Sequence, residues 1–463
     1  MGEARSVLPL QVDLDGNTSY GDVPADKQHA VDDAGALFVL ESKGSWLHAG
    51  YHLTTSIAAP ALLSLPSAFA GLGWVAGVLI LFVDAALTFY GYCLLSRVLE
   101  QLASVGRRHI RFRDLAQDVL GRRWSLFTVA PVQFCVCFGA VIGCTVLGGQ
   151  SMKFIYSIYH SNGSLRLHDF IIFFGLMMML LSQMPSFHSL RYINLLSLLM
   201  CLGYSACAVG GSIYAGHRHS TNKDYSIEGG KASKIFGAFN SFAIIATTYG
   251  NGIIPEIQAT LAPPVAGKMF KGLCICYTVV ASTFFSVAVS GYWAFGKQSL
   301  GNLLSNLAPS GQPALVPNWL IILANMLVLL QLLAVALVYS QPTFEMLEGK
   351  ASNAKEGRFS ARNFLPRLVL RGSFVAIATF IAAMLPFFGD INALIGAFGF
   401  LPLDFIFPMI FYNIVFKPSH RSVVFRFNTL IAFAFVLACI IGCIAAVRQI
   451  ALDANNYKLF ANL

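Results

Sequence analysis

Two stretches of this chain carry the residue types from which a binding site can be built inside an oily interior. One reads Leu53-Thr54-Thr55-Ser56-Ile57-Ala58-Ala59-Pro60-Ala61-Leu62-Leu63-Ser64-Leu65-Pro66, the other Ala246-Thr247-Thr248-Tyr249-Gly250-Asn251-Gly252-Ile253-Ile254-Pro255-Glu256. Proline removes a backbone donor and glycine loosens a helix, so a helix through either stretch is expected to be discontinuous. Half-helix amino termini then offer bare N–H groups and a positive dipole end to a carboxylate. Unwound carbonyls and hydroxyls suit an ammonium group, and a zwitterion satisfies both. The candidate lining is Thr55, Ser56, Ala58, Ala59 and Pro60 in the first stretch and Thr247, Thr248, Tyr249 and Asn251 in the second. Phe138 and Gln331 stand at mid-depth in other apolar runs and are candidate walls. The plainer reading is that Pro and Gly are common in membrane helices, where neighbours repair the broken backbone. The pairing speaks against it, since Pro66 and Pro255 coincide when one stretch is laid on the other.

Four acids fall in or beside apolar runs, where an ionised group costs at least about 2.5–3.5 kcal/mol to insert. Glu256 follows the second break directly; a desolvated carboxylate there can exchange a proton, or it can pair with a nearby base. Asp84, in the second run, reads either as a local hydrogen-bonding feature or as a further proton site. Asp404, beside Pro402, is a third proton-coupling candidate, whereas Asp390 at a turn suits a solvated cap.

The elements that must position these residues follow from composition. The 463 residues are 56% hydrophobic and only 11% charged, with a mean hydropathy of +0.66. That is about half the charge of a soluble domain. Apolar runs recur at roughly 48–70, 75–98, 125–150, 168–188, 192–215, 236–261, 270–294, 318–343, 367–388, 391–416 and 428–449, each long enough to cross a hydrocarbon core. They are expected to be helices, because lipid offers no partner to an unpaired amide. The expected architecture is therefore all-α and integral to the membrane, with about eleven crossings. Residues 1–45, with eight acids against three bases, read as a polar cytosolic tail rather than a signal peptide.

Placing the amino terminus inside puts eighteen Lys and Arg in the inner connections and nine outside, which is the favoured orientation. The carboxyl terminus is then extracellular. Trp46, Trp74, Trp124, Trp293 and Trp319 all sit at span ends, as amphipathic rings prefer. The net charge of +9 is thus topological and calls for no nucleic acid. Asn162-Gly163-Ser164 lies in an outer loop as a candidate glycan acceptor; Asn17-Thr18-Ser19 lies in the cytosolic tail, where no transferase would reach it.

Metal and enzyme chemistry find little support. All ten cysteines lie in apolar runs and read as buried small hydrophobes, and the C-x-C pairs Cys135/Cys137 and Cys274/Cys276 lack further ligands. Gly291-Tyr292-Trp293-Ala294-Phe295-Gly296-Lys297-Gln298 nearly spells a phosphate loop, but Gln298 replaces the metal-binding hydroxyl and no strand precedes it. No H-E-x-x-H or G-x-S-x-G run occurs. Neither cofactor nor metal nor enzymatic activity is expected.

The chain resembles the plant amino acid/auxin permease family, in particular its γ-aminobutyrate transporter branch. The residues carrying this are Leu65-Pro66 with Gly71-Leu72-Gly73-Trp74, the run Gly106-Arg107-Arg108-His109-Ile110-Arg111-Phe112-Arg113, Pro185 to Arg191, Gly250 to Thr260, Gly291 to Gly296 and Leu385 to Asn392. The match runs from about residue 35 to the end. The resemblance implies a LeuT-like core of two five-helix inverted repeats, 46–215 and 236–416, with broken first and sixth helices. Residues 417–463 then form an eleventh helix and a short extracellular end. It further implies a plasma-membrane symporter importing a small neutral amino acid with protons by alternating access, γ-aminobutyrate or a related compound such as proline. An auxin or broad-specificity permease and a non-translocating amino acid sensor are the alternatives. The partners so implied are the substrate, protons and the bilayer; no oligomeric state follows. One departure stands out: the family usually has glycine in the first break where this chain has Ala58-Ala59-Pro60, and a methyl group narrows a backbone cradle.

Overall fold

Among the described residues the first helix is Trp46–Ile57 (α1), capped by Ser45, whose side chain and that of His48 each take the other's backbone N–H. The computed structural model describes residues 44–160, 163–183, 191–218, 223–227, 229–262, 264–309, 313–351, 360–385 and 388–456. Most of the polar tail, Asn162, residues 185–190 of the Pro185–Arg191 motif, Pro386, Phe387 and residues 457–463 lie outside them.

After α1 the chain makes a 3-10 turn at Pro60–Ser64 and enters α2 (Leu65–Ser104), which bends at Gly73 with φ 77°. A φ of that sign is open to glycine at little cost, so the sharp corner falls where the sequence supplies one. The helices that follow are α3 (Phe112–Leu120), α4 (Ala130–Tyr159), α5 (Leu167–Leu181), α6 (Arg191–Arg218), α7 (Lys231–Tyr249), α8 (Ile254–Ala259), α9 (Lys268–Phe295), α10 (Leu303–Leu307) and α11 (Asn318–Ala351). Then come α12 (Ala361–Met384), α13 (Phe388–Ile395), a widened π-helical stretch at Gly396–Ile406, α14 (Phe407–Phe416) and α15 (Val423–Asn456). Among the described residues the only extended pairing is an isolated bridge between Gly44 and Leu261.

Among the described residues eight helical runs are long and apolar enough to cross a bilayer. The expected eleven would need the bent run Trp46–Ser104 counted twice and the shorter apolar helix α5 and the split pair α7–α8 added. The outer surface fits a lipid solvent. On α15, Leu430, Phe433, Leu437, Ile440, Ile444 and Val447 are exposed at helical spacing while Ile431, Phe435, Ala445 and Ala446 face inward. A helix apolar on its exposed face as well as its buried one belongs in hydrocarbon. Two cysteines correct the expectation of burial: Cys135 and Cys274 are exposed on their helices, whereas Cys137, Cys144, Cys201, Cys207 and Cys276 are buried. An apolar run gives no indication of which of its faces meets lipid.

The first break falls ahead of Pro60, and Pro66 lies beyond it. Pro66 sits in the first turn of α2, where its missing N–H has no helical partner to lose. The interruption lies at Ala58–Ala59, ahead of Pro60. Pro255 occupies the same place in α8 as Pro66 in α2, so the two prolines restart helices rather than end them.

Close packing of the π-helical stretch positions everything that follows. A Cβ on Gly396 would stand 2.0 Å from the Ala243 carbonyl oxygen and 2.3 Å from Thr247 Oγ1. On Gly399 it would meet Val136 at 2.2 Å. Glycine there lets the stretch lie against α7 and α4 at backbone distance. Gly396→Ala is expected to destabilise by about 1–3 kcal/mol as an overpacked site. Gly237→Ala, whose Cβ would meet nothing within 4 Å, should leave thermal unfolding in detergent unchanged or slightly raised; equal shifts for the two would contradict this packing.

Candidate functional site

Breaking a helix inside a membrane exposes carbonyls at one end and amides at the other, and in this protein particular side chains take up most of them. At the first break, α1 ends with Ala58 N donating to Thr54 O at 2.8 Å, and Ala59 is extended. Ala58 O accepts from Gln331 Nε2 at 2.8 Å. Ser56 O accepts from the Tyr339 hydroxyl at 3.0 Å. At the second break, Gly250 is extended and Gly252 takes φ 63°. The amides of Asn251 and Gly252 both donate to the Asp404 carboxylate, each at 3.2 Å. Tyr249 O accepts from Tyr92 at 3.0 Å.

The two breaks face each other. Asn251 Nδ2 donates to Ser56 Oγ at 2.6 Å. The Tyr339 hydroxyl lies 3.0 Å from Ser56 O and 3.3 Å from Gly250 O, so one proton is shared between carbonyls of both breaks. Beside this junction is a cleft of about 480 Å³ of free space, open solvent included. It is walled by Ser56, Ala59 and Pro60 from the first break, by Thr247 and Gly250 from the second, by Ala140, Gly143 and Cys144 of α4, by Leu332, Val335 and Tyr339 of α11, and by Phe388, Asn392 and Phe400. None of its lining residues carries a charge.

Of the residues expected to line a site, Ser56, Ala59, Pro60 and Thr247 border this cleft. Ala58, Asn251 and Gln331 instead build the break beside it. Thr55 and Thr248 spend their hydroxyls on the carbonyls of Asn194 and Ile245. Tyr249 packs on Phe284 with its hydroxyl unpartnered. Phe138 stacks on Phe134 and meets Phe374, away from the cleft. Sequence reasoning missed Tyr339, Asn392, Phe400 and Gly143. Tyr339 was detectable: it lies eight residues beyond Gln331, on the same helical face. Asn392 is the most pointed omission. It is buried, borders the cleft, and its side-chain nitrogen has no acceptor.

The acids divide. Asp404 holds the second break together. Asp84 is buried in α2, and neither carboxyl oxygen has a hydrogen-bond partner among the described residues. Glu256 Oε1 accepts from Phe112 N at 2.9 Å and from Gln133 Nε2 at 2.7 Å. The base at this end, Arg111, reaches Glu345 at 2.6 Å. Asp390 is half-buried in the first turn of α13. At the opposite end Tyr225 packs between Trp74 and Tyr292, at 5.7 and 5.4 Å between ring centroids. There the Lys297 ammonium, 2.8 Å away, and the Ser226 amide hold the Asp224 carboxyl below the usual carboxylate range.

Residues 42–449 match the family model described as transmembrane amino acid transporter protein, and the chain belongs to that family. It is 55% identical over 433 residues to GABA transporter 1 of Arabidopsis thaliana, covering 93% of this chain and 96% of that one. Lysine histidine transporter-like 1 of the same plant is 30% identical, with 94% of each covered. Among solved structures, MhsT in complex with L-phenylalanine superposes with a TM-score of 0.57 at 12% identity, covering 88% of this chain and 99% of that one. The fold is thus the LeuT-like transporter fold, with its first and sixth helices broken, and the relatives are transporters rather than enzymes.

The junction between the breaks makes a direct prediction. Tyr339→Phe removes the one donor reaching both Ser56 O and Gly250 O, and leaving buried acceptors unmade costs about 1–3 kcal/mol. Thermal unfolding should shift downward accordingly, and a variant as stable as the parent would show that the hydroxyl is not needed there.

Proposed function

We propose that this member of the amino acid transporter family imports a small neutral amino acid, γ-aminobutyrate or a close relative such as proline, coupled to protons. The observation that carries the reading is the uncharged cleft between two broken helices. A ligand with a net charge would need a countercharge there, since burying an unpaired ion is prohibitive. A zwitterion brings its own, and its two ends can be met by peptide dipoles and neutral polar groups. The Asn392 amide, with its N–H groups unspent, suits the carboxylate end; the carbonyl of Gly250 and the hydroxyl of Ser56 suit the ammonium end. The apolar walls from Leu332, Val335 and Phe388 suit the methylenes between them. The similarity to a GABA transporter supports this choice within the class.

The remaining parts of the reading follow. Residues 46–215 and 236–416 are the two inverted repeats, and rocking one against the other opens the cleft alternately to either side. The two-to-one excess of Lys and Arg supports an amino terminus in the cytosol and, with eleven crossings, an extracellular carboxyl terminus at the plasma membrane. Purified protein in sealed vesicles with an inward proton gradient should accumulate radiolabelled γ-aminobutyrate above the medium, and unlabelled proline should compete. Binding without filling would mark a sensor; competition by an indole acetic acid instead would mark an auxin carrier. Asn392→Ala is expected to raise KM about tenfold, the worth of one hydrogen bond to a charged group. An unchanged KM would remove Asn392 from the carboxylate end.

A further inference from the structure

A second chamber lies at the end where α3 closes against the bundle, apart from the cleft. Arg111, Gln133, Cys137, Glu256 and Glu345 line it, around about 380 Å³ of free space, open solvent included. Glu256 and Glu345 are each 1% exposed. Each uses one carboxyl oxygen for the bonds described above and leaves Oε2 without a hydrogen-bond partner.

Charge decides what this chamber can hold. The buried members are two acids and one base, Arg111, which also lies 3.5 Å from Asp114. Arg113, the other lining base, is partly exposed and lies 3.5 Å from Asp114 as well. From the remaining packed elements the facing groups are Gln133 and Cys137 of α4, while on α11 Glu348 is already taken by Arg367 and Arg371. One buried carboxylate therefore has no countercharge of its own, and a group so placed is neutral at least cost with a proton on it. A metal cation fits poorly: it needs several oxygens at once, and two guanidinium groups line the same space.

We propose that Glu256 and Glu345 together form the exchangeable proton site of this transporter, and that its occupancy governs closure of the α3 end. The inference deepens the proton-coupled reading above and rests on it. The proton adds to an unpartnered Oε2 and leaves again to water. On Glu256 it weakens the charge-assisted bonds from Phe112 N and Gln133; on Glu345 it weakens the Arg111 ion pair. Both tethers bind α3 and the segment before it. Both also lead to the cleft: Glu256 stands in α8, which begins at the second break, and Glu345 lies six residues beyond Tyr339, whose hydroxyl joins the breaks.

The test compares wild type, Glu256→Gln and Glu345→Gln in sealed vesicles with radiolabelled γ-aminobutyrate. Two quantities are measured: accumulation under a one-unit inward pH gradient, and exchange of labelled for unlabelled substrate at equal pH. One proton per cycle moving down one pH unit supports about tenfold accumulation. In the variants accumulation should fall by about that factor more than exchange does. Accumulation like that of wild type in both, or parallel loss of accumulation and exchange, would overturn the proposal. Wild type that exchanges but does not respond to the gradient would instead sink the proton-coupled reading itself. Because a variant can fail to fold, wild type is also treated with dicyclohexylcarbodiimide, which attacks protonated buried carboxyl groups. Adducts at Glu256 or Glu345 that fade as pH rises are expected; adducts only at other acids, or insensitive to pH, would refute it.

Discussion

Everything in this molecule depends on one constraint: a peptide group in hydrocarbon must find a partner inside the protein. An unbroken helix meets it automatically, and two helices here are broken at matching places. The orphaned groups are met from outside the broken helices. Gln331 and Tyr339 of α11 take carbonyls of the first break, and Asp404 takes amides of the second. The breaks are therefore fixed by their neighbours, and a hinge in either is mechanically linked to α11 and to the π-helical stretch.

That linkage explains features that look unrelated in isolation. The π-helical stretch carries Asp404 to the amides of Asn251 and Gly252, and its glycines let it approach α7 and α4 closely enough to do so. Tyr339 serves both breaks with one hydroxyl, so motion that separates them must release at least one carbonyl. Under the proposed reading, the ammonium of a ligand in the adjoining cleft replaces the lost donor. On that reading binding and rearrangement are one exchange of hydrogen bonds.

Charge is segregated in the same economical way. The cleft lining has none, while among the described residues the buried ion pairs gather at the α3 end as Arg111 with Glu345, and Arg367 and Arg371 with Glu348. The segment before α1 joins this end through the bridge from Gly44 to Leu261, and Arg108 donates to the carbonyls of Ala259 and Leu261. The half-helices α1 and α8 are thus tied at their far ends as well as at the breaks.

The sequence by itself determined the solvent, the helical class, the family and the existence of two breaks. Each of these is a local property: hydropathy over some twenty residues, or a Pro and Gly within one turn. The place of the first break, at Ala58-Ala59-Pro60, came from the family resemblance rather than from proline alone, because Pro60 and Pro66 are equally good helix starters. Which side chains meet across the cleft was left to tertiary structure. Phe138 and Tyr339 both stand at mid-depth in apolar helices, yet one packs on Phe374 and the other joins the breaks. Cys135 and Cys137, two residues apart, end on opposite sides of the same helix wall. The pairing of Arg111 with Glu345, separated by 234 positions, likewise had no local signal, because rotation of a helix about its axis is set by its neighbours and leaves no trace in composition.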